Sequence, residues 1–240
     1  MDTTHSSQHI VLVPGFWLGA WAWDAVVGPL RAAGLTPHPV TLPGLEPEAD
    51  RSGIGREEHV RAVLELLESL EGEVVLVGHS GGGALVQQVA DRAPERVRRG
   101  VFVDTGPLVD GARLHGGLEP EAVELPFPSW EELAANGSSV EGIDEAGLER
   151  LRSLAVPQPA GVAREPVRVS NPARLSVPAT VVCTSIPSHV LREIASPGPP
   201  FHTELLEWQE LSWVDLPTGH WPMLSRPAEL AAVLVEAARA

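Results

Sequence analysis

Val74-Val75-Leu76-Val77-Gly78-His79-Ser80-Gly81-Gly82-Gly83-Ala84 is the stretch whose reading decides the fold. Its first four residues, Val74–Val77, form an unbroken apolar run, which reads as a short strand buried on both faces. Gly81–Ala93 reads as the helix that follows. Gly78-His79-Ser80-Gly81-Gly82 thus carries G-x-S-x-G between a strand and a helix, where a tight turn lifts a serine hydroxyl clear of a sheet. Flanking glycines leave room where strand and helix crowd the bend. Amides at the helix start would then point at an oxyanion formed beside Ser80. Alone the pattern is weak; its placement makes it strong.

Outward from this turn the chain alternates. His9–Val13 is an apolar run ending at Pro14-Gly15, and Trp21–Ala33 is a helix with Val26, Val27 and Leu30 on one face. Thr36–Leu42 is the next strand, Arg56–Leu70 a helix with apolar residues at three- and four-residue steps, and Gly100–Asp104 a further strand. Strands alternating with helices predict an α/β fold with a mainly parallel central sheet flanked by helices. After Asp104 the rhythm breaks. From Gly106 to Pro172 the sequence is rich in Pro, Gly and acidic residues and shows no clear strand. Ser129 and Glu132 form a capping box for one short helix, and Asp144–Ala155 predicts a second. Residues 107–172 are read as a small helical lid inserted into a single domain spanning 9–240, behind a flexible tail at 1–8. Strands resume at Ala179–Thr184 and Ser212–Leu216, separated by a turn at Ser196–Pro200 and a short helix at His202–Glu210. Pro227–Ala240 predicts a final helix.

Composition excludes several chemistries. The formal net charge is −15, and all 17 basic residues are Arg, which removes Schiff-base and P-loop lysines from consideration. An acidic surface disfavours nucleic acid as a partner, and the run Arg96–Arg99 reads as a solvated helix end. Cys183 is the one cysteine, set in the apolar run Val181-Val182-Cys183, and reads as an inert core thiol. The polar start and the lack of any apolar stretch near ~20 residues predict a cytoplasmic chain without a membrane partner. The histidines show no metal-ligand spacing, so neither metal nor organic cofactor is implied.

Serine needs a base. Of nine histidines, His220 in Thr218-Gly219-His220-Trp221 lies just past the last strand and before the final helix, at the sheet end where a base would face Ser80. His79 adjoins Ser80, but the bend should aim its side chain elsewhere. Phe16, Trp17 and Trp221 flank these positions and read either as substrate-binding residues at a pocket mouth or as core. Arg164 and Arg168 in the lid read as solvated surface, or as partners for a substrate carboxylate.

Val13-Pro14-Gly15-Phe16, Gly78-His79-Ser80-Gly81-Gly82 and Gly219-His220 together resemble the α/β-hydrolase superfamily over nearly the whole chain except the lid. Gly19-Ala20-Trp21-Ala22-Trp23 is similar to a segment of its small esterase (methylesterase) and hydroxynitrile-lyase branch. The resemblance implies Ser80 as nucleophile, His220 as base, and an oxyanion hole from the backbone N–H groups of Phe16 and Gly81. Two departures stand out. Pro14 replaces a histidine common in the family, which leaves the Phe16 donor in place. Ser185-Ile186-Pro187-Ser188 holds no carboxylate where the family usually sets its triad acid. Some branches set the acid one strand earlier, which here is Asp104. Asp110, Asp215, a turn-capping role for Asp104 and a site without any acid stay open.

These residues predict a serine hydrolase that cleaves a carboxylic ester, thioester or related acyl bond of a small molecule through an acyl-enzyme on Ser80. Acyl transfer by the same triad is the neighbouring reading. A catalytically degenerate protein that binds a small ligand is a reading of another class, prompted by the missing acid. Family chemistries with a carboxylate nucleophile, lid tyrosines or a lysine near the base are excluded by Ser80, by a chain without Tyr or Lys, and by Trp221 after His220.

Overall fold

Six strands build one sheet in which every neighbouring pair is parallel. The computed structural model describes residues 8–195 and 203–240. In chain order the elements are β1 (Gln8–Val13), α1 (Asp24–Ala32), β2 (Leu35–Pro39), α2 (Arg56–Ser69), β3 (Val74–His79), α3 (Gly82–Arg92) and β4 (Val97–Val103). The segment that follows holds β5 (Glu124–Leu125), α4 (Trp130–Ala135), α5 (Glu145–Leu154), β6 (Gln158–Pro159) and α6 (Ala160–Arg164). The chain ends with β7 (Ala179–Cys183), α7 (Ser188–Ile194), β8 (Leu211–Asp215), α8 (Pro222–Ser225) and α9 (Pro227–Arg239).

The strand order is β2-β1-β3-β4-β7-β8. Successive side chains of a strand face opposite ways, and the two cores follow that alternation. Ile10, Leu12, Val75, Val77, Val101 and Val103 pack with Val26, Leu30, Leu230 and Leu234 from α1 and α9. Val11, Val13, Val74, Leu76 and Phe102 pack on the other face with Val60, Val63 and Leu67 of α2 and Leu85, Val86 and Val89 of α3. β3 and β7 are buried at every residue, hence the apolar runs Val74–Val77 and Val181–Cys183 within them. β2 carries Pro37 and Pro39 and lies at the sheet edge, where a missing N–H costs no ladder bond.

Several expectations are corrected. β2 stops at Pro39 rather than Leu42, because the chain turns at Leu42, whose carbonyl accepts from Leu45 N. The basic run is not a solvated helix end: Arg96 closes a 3-10 turn, and Arg99 is buried within β4. Arg96 instead donates to the carbonyls of Leu67, Leu70 and Gly72, tying the end of α2 to the start of β4. Residues 106–172 do contain strand, since β5 and β6 pair antiparallel. Two residues each, one of them Pro159, leave no alternation to read. The helices at Ser129 and Asp144 form as predicted, each capped by that residue's side chain. The helix expected at His202–Glu210 is reduced, among its described residues, to a 3-10 turn at Leu205–Glu207. The turn expected at Ser196–Pro200 lies outside the described residues. α7 went unread because its cap is remote: Asp215 at the end of β8 accepts from Ser188 N at 2.7 Å and from Ser188 Oγ at 2.7 Å.

Candidate active site

β3 and β4 are neighbours, and each is followed by a non-glycine residue in the left-handed region: Ser80 at φ +49° and Asp104 at φ +48°. That conformation costs an L-residue roughly 1–2 kcal/mol, so two adjacent cases mark a place where the backbone is held against preference. What holds Ser80 is close packing. A Cβ on Gly78 would sit 2.5 Å from the Gly82 carbonyl oxygen, and one on Gly82 2.7 Å from that of Pro14. Only glycine lets β3, α3 and the β1 turn approach this closely. Ser80 N donates to Val103 O at 3.1 Å, so the sheet uses that amide. Among the described residues the amides of Phe16 and Gly81 donate to nothing. The Phe16 ring packs on the Gly81 backbone, bringing these two free amides to the same corner as Ser80.

Asp104 N donates to Val182 O at 2.8 Å, which turns the carboxylate toward the loop after β7. Asp104 Oδ1 accepts from Thr184 N (3.2 Å), Ser185 N (2.9 Å) and Ser185 Oγ (2.9 Å). Oδ2 accepts from Ser185 Oγ at 2.8 Å and from His220 Nδ1 at 2.6 Å. Burial, with the side chain 6% exposed, would raise this carboxyl. The His220 hydrogen bond and charge and the Ser185 donors outweigh burial and hold it well below the usual carboxylate range. His220 Nδ1 is thereby engaged as donor, which leaves Nε2 as the ring nitrogen not committed to Asp104.

The other candidate acids are elsewhere. Asp110 is exposed, accepting from Val169 N and pairing with Arg168. Asp215 is exposed and caps α7.

His220 is fixed from several sides. Its N–H donates to Ser139 O at 2.7 Å, and Gly219 N donates to Glu141 O at 3.1 Å, both in the segment between α4 and α5. Thr184 Oγ1 donates to Gly219 O at 3.0 Å. Trp221 meets the His220 ring edge-on at a centroid distance of 5.0 Å. At 2% exposure, within the core, Trp221 backs the ring instead of lining a mouth. Among the described residues no hydrogen bond joins Ser80 Oγ to the His220 ring.

Their connection runs through His79. Expected to point away, His79 is buried with its ring 4.8 Å from that of His220, and its Nε2 donates to the His220 carbonyl at 2.7 Å. Burial foremost, then the neighbouring His220 charge, lowers its pKa, so His79 stays neutral beside His220. Ser80 and His220 therefore belong to one corner of the molecule.

Trp17, at φ +66°, is bound to the segment between β4 and β7: its N–H meets Gln158 Oε1, its indole N–H meets Leu125 O, and its carbonyl accepts from Val156 N. Its ring sits edge-on between Phe16 and Phe127. Arg164 donates to the carbonyls of Glu119 and Ala122 within that segment.

Cys183 is buried, and burial first, then Asp215 and Asp104, pushes its thiol up to about 12. A buried thiol held up in this way stays protonated near neutral pH, unlike a thiolate nucleophile. Among the described residues no three His, Cys, Asp or Glu side chains gather as a metal site, and no helix is long and apolar enough to cross a membrane. His79, Thr184, Ser185, Ser139 and Gln158 were missed from sequence. Only Thr184 and Ser185, polar residues that follow a buried strand, left any signal.

Known proteins share this arrangement of chain. The carbendazim hydrolyzing esterase of Nocardioides sp. (strain SG-4G) is 36% identical over 158 residues, covering 63% of this chain and 60% of that protein. The putative methylesterase 14, chloroplastic, of Arabidopsis thaliana is 38% identical over 110 residues, covering 44% of this chain and 32% of that protein. The chain thus spans from about a third to three-fifths of these relatives' own length. An extracellular alpha/beta-hydrolase from a Paenibacillus species shares the fold at a TM-score of 0.77 and 20% identity, with 97% of this chain and all (100%) of that one covered. The methylesterase MES16 of Arabidopsis does so at 0.74 and 19% identity, covering 97% and 99% of the two chains. The model of the alpha/beta hydrolase family matches residues 10–233, and the chain belongs to that family.

Proposed function

We propose that this chain is a serine esterase that hydrolyses a carboxylic ester of a small molecule through an acyl-enzyme on Ser80. The observation that carries the reading is the 2.6 Å contact between His220 Nδ1 and Asp104 Oδ2, beside a serine held in a left-handed bend. In this reading Ser80 Oγ attacks the ester carbonyl carbon while His220 Nε2 takes its proton. Asp104 stabilises the imidazolium that forms. The Phe16 and Gly81 amides stabilise the tetrahedral oxyanion. Its collapse expels the alcohol, protonated by His220. Water, deprotonated by the same nitrogen, then attacks the acyl-enzyme, and the acid leaves with Ser80 restored.

The 107–172 segment serves as a lid that shapes the substrate pocket, and residues 9–240 act as one catalytic domain. The esterase names of the relatives support hydrolysis over acyl transfer. A lone buried thiol suits a reducing compartment such as the cytoplasm. Turnover of p-nitrophenyl acetate tests the proposal. The wild-type chain should release p-nitrophenol with saturation, and Ser80→Ala should fall to the rate of buffer. Ligand binding without turnover in the wild type would instead establish the degenerate binding protein.

A further inference from the structure

We propose that Gln158, on the inserted segment, is a positioning residue that holds the oxyanion turn in its productive shape. The inference rests on the reading of Ser80 as nucleophile and of the Phe16 amide as an oxyanion donor. The turn Gly15–Leu18 closes on itself with a single long contact, Leu18 N to Gly15 O at 3.4 Å. Its third residue, Trp17, has φ +66°, a conformation that a bulky L-residue avoids. A turn so weakly closed would relax if left alone, and rotation of the Phe16–Trp17 peptide would reorient Phe16 and carry its free N–H, in the preceding Gly15–Phe16 peptide, away from Ser80.

What opposes that relaxation comes from the insertion at three points. Gln158 Oε1 accepts from Trp17 N at 3.1 Å, Val156 N donates to Trp17 O at 3.0 Å, and Trp17 Nε1 donates to Leu125 O at 3.0 Å. The accepting residues are themselves paired, Leu125 opposite Gln158 in the two-stranded β5-β6 ribbon. Gln158 is 1% exposed, so its amide oxygen is committed to this contact rather than to solvent. A buried amide acceptor aimed at one backbone N–H fixes a peptide plane at low entropic cost, which is how a donor is preorganised. The same insertion fixes the base loop through Ser139 O and Glu141 O, so one segment sets both sides of the reacting centre.

The test uses Gln158→Met, which keeps side-chain length and removes the acceptor, and Trp17→Phe, which removes the Leu125 contact. Each is assayed with p-nitrophenyl acetate, with active sites counted by fluorophosphonate titration so that unfolded chains drop out. Affinity for an aryl trifluoromethyl ketone, which forms an oxyanion on the serine, is measured alongside. The expected result for Gln158→Met is a fall in kcat of about tenfold or more, KM within about threefold, and an equal loss of ketone affinity, since a lost oxyanion donor costs roughly 10²–10³ in kcat. Trp17→Phe, which leaves the Gln158 contact in place, should lose kcat and ketone affinity together by about threefold or more; if Gln158→Met does not fold, Gln158→Leu is read in its place with the same expectation as Gln158→Met. Unchanged kcat and ketone affinity per titrated site would overturn the proposal while leaving Ser80 as nucleophile. A wild-type chain that neither titrates nor turns over would end both.

Discussion

Replacing Asp104 with Asn removes one charge and almost no volume, and the surrounding hydrogen bonds dictate how the new amide sits. Thr184 N and Ser185 N both donate to Oδ1, so the amide oxygen is pinned there and the NH2 takes the place of Oδ2. That NH2 faces His220 Nδ1, where the carboxylate oxygen had accepted at 2.6 Å. To accept from it, His220 must move its proton to Nε2, the nitrogen that has to receive the Ser80 proton. The lost ion pair adds to this. A carboxylate and an imidazolium with centres ~4 Å apart interact by about 4 kcal/mol at an effective dielectric near 20, about a thousandfold in rate. With the tautomer penalty included, kcat should fall by roughly 10³–10⁴. The assay is p-nitrophenyl ester turnover per folded chain, with urea unfolding in parallel. Activity within about tenfold of wild type in a folded variant would show that Asp104 merely holds the loop at Thr184 and Ser185.

Ser80→Gly should abolish turnover yet raise stability by about 0.5–1 kcal/mol, since glycine accepts φ +49° freely; thermal melting should move up by roughly 1–4 °C, and a lower midpoint would refute strain at the bend. His59 is buried and donates to Pro43 O at 2.8 Å, and burial foremost pushes its pKa down to about 4. Between pH 6.5 and 4 the unfolded chain takes up a proton that the folded ring refuses, so stability falls as pH drops, by about 1.4 kcal/mol per unit. His59→Gln keeps the Pro43 donor and should flatten that slope by this amount; an unchanged slope in urea titrations contradicts the assignment. Arg174 is buried and pairs with Glu204 at 2.8 Å and with Asp91 at 3.4 Å. Arg174→Met strands both carboxylates and should cost roughly 3–5 kcal/mol, with part recovered in Arg174→Met/Glu204→Leu; equal losses in single and double variants would show that Glu204 is not the partner that matters.

What could be read from sequence was whatever depends on near neighbours along the chain. β3, the Ser80 bend and α3 occupy consecutive residues, so apolar runs and glycines announced them. The helices at Ser129 and Asp144 were legible for the same reason, their caps lying within three residues. His220 was found by its place after the last strand. Asp104 was one of several open choices, because its partners Thr184 and Ser185 are 80 residues away and reach it only when β4 pairs with β7. α7 escaped notice because its cap, Asp215, sits 27 residues downstream. Trp17 and Trp221 show the limit most plainly. Both flank candidate site residues in sequence, yet one is bonded to the segment between β4 and β7 and the other is buried against His220, and nothing local distinguishes these from a pocket wall.

Native protein treated with a fluorophosphonate probe and read by peptide mass spectrometry tests the central claim most directly. The account predicts one adduct, on Ser80, absent in Ser80→Ala and formed at least a hundredfold more slowly in His220→Ala. A folded chain that takes no label, or takes it on another residue, would contradict it.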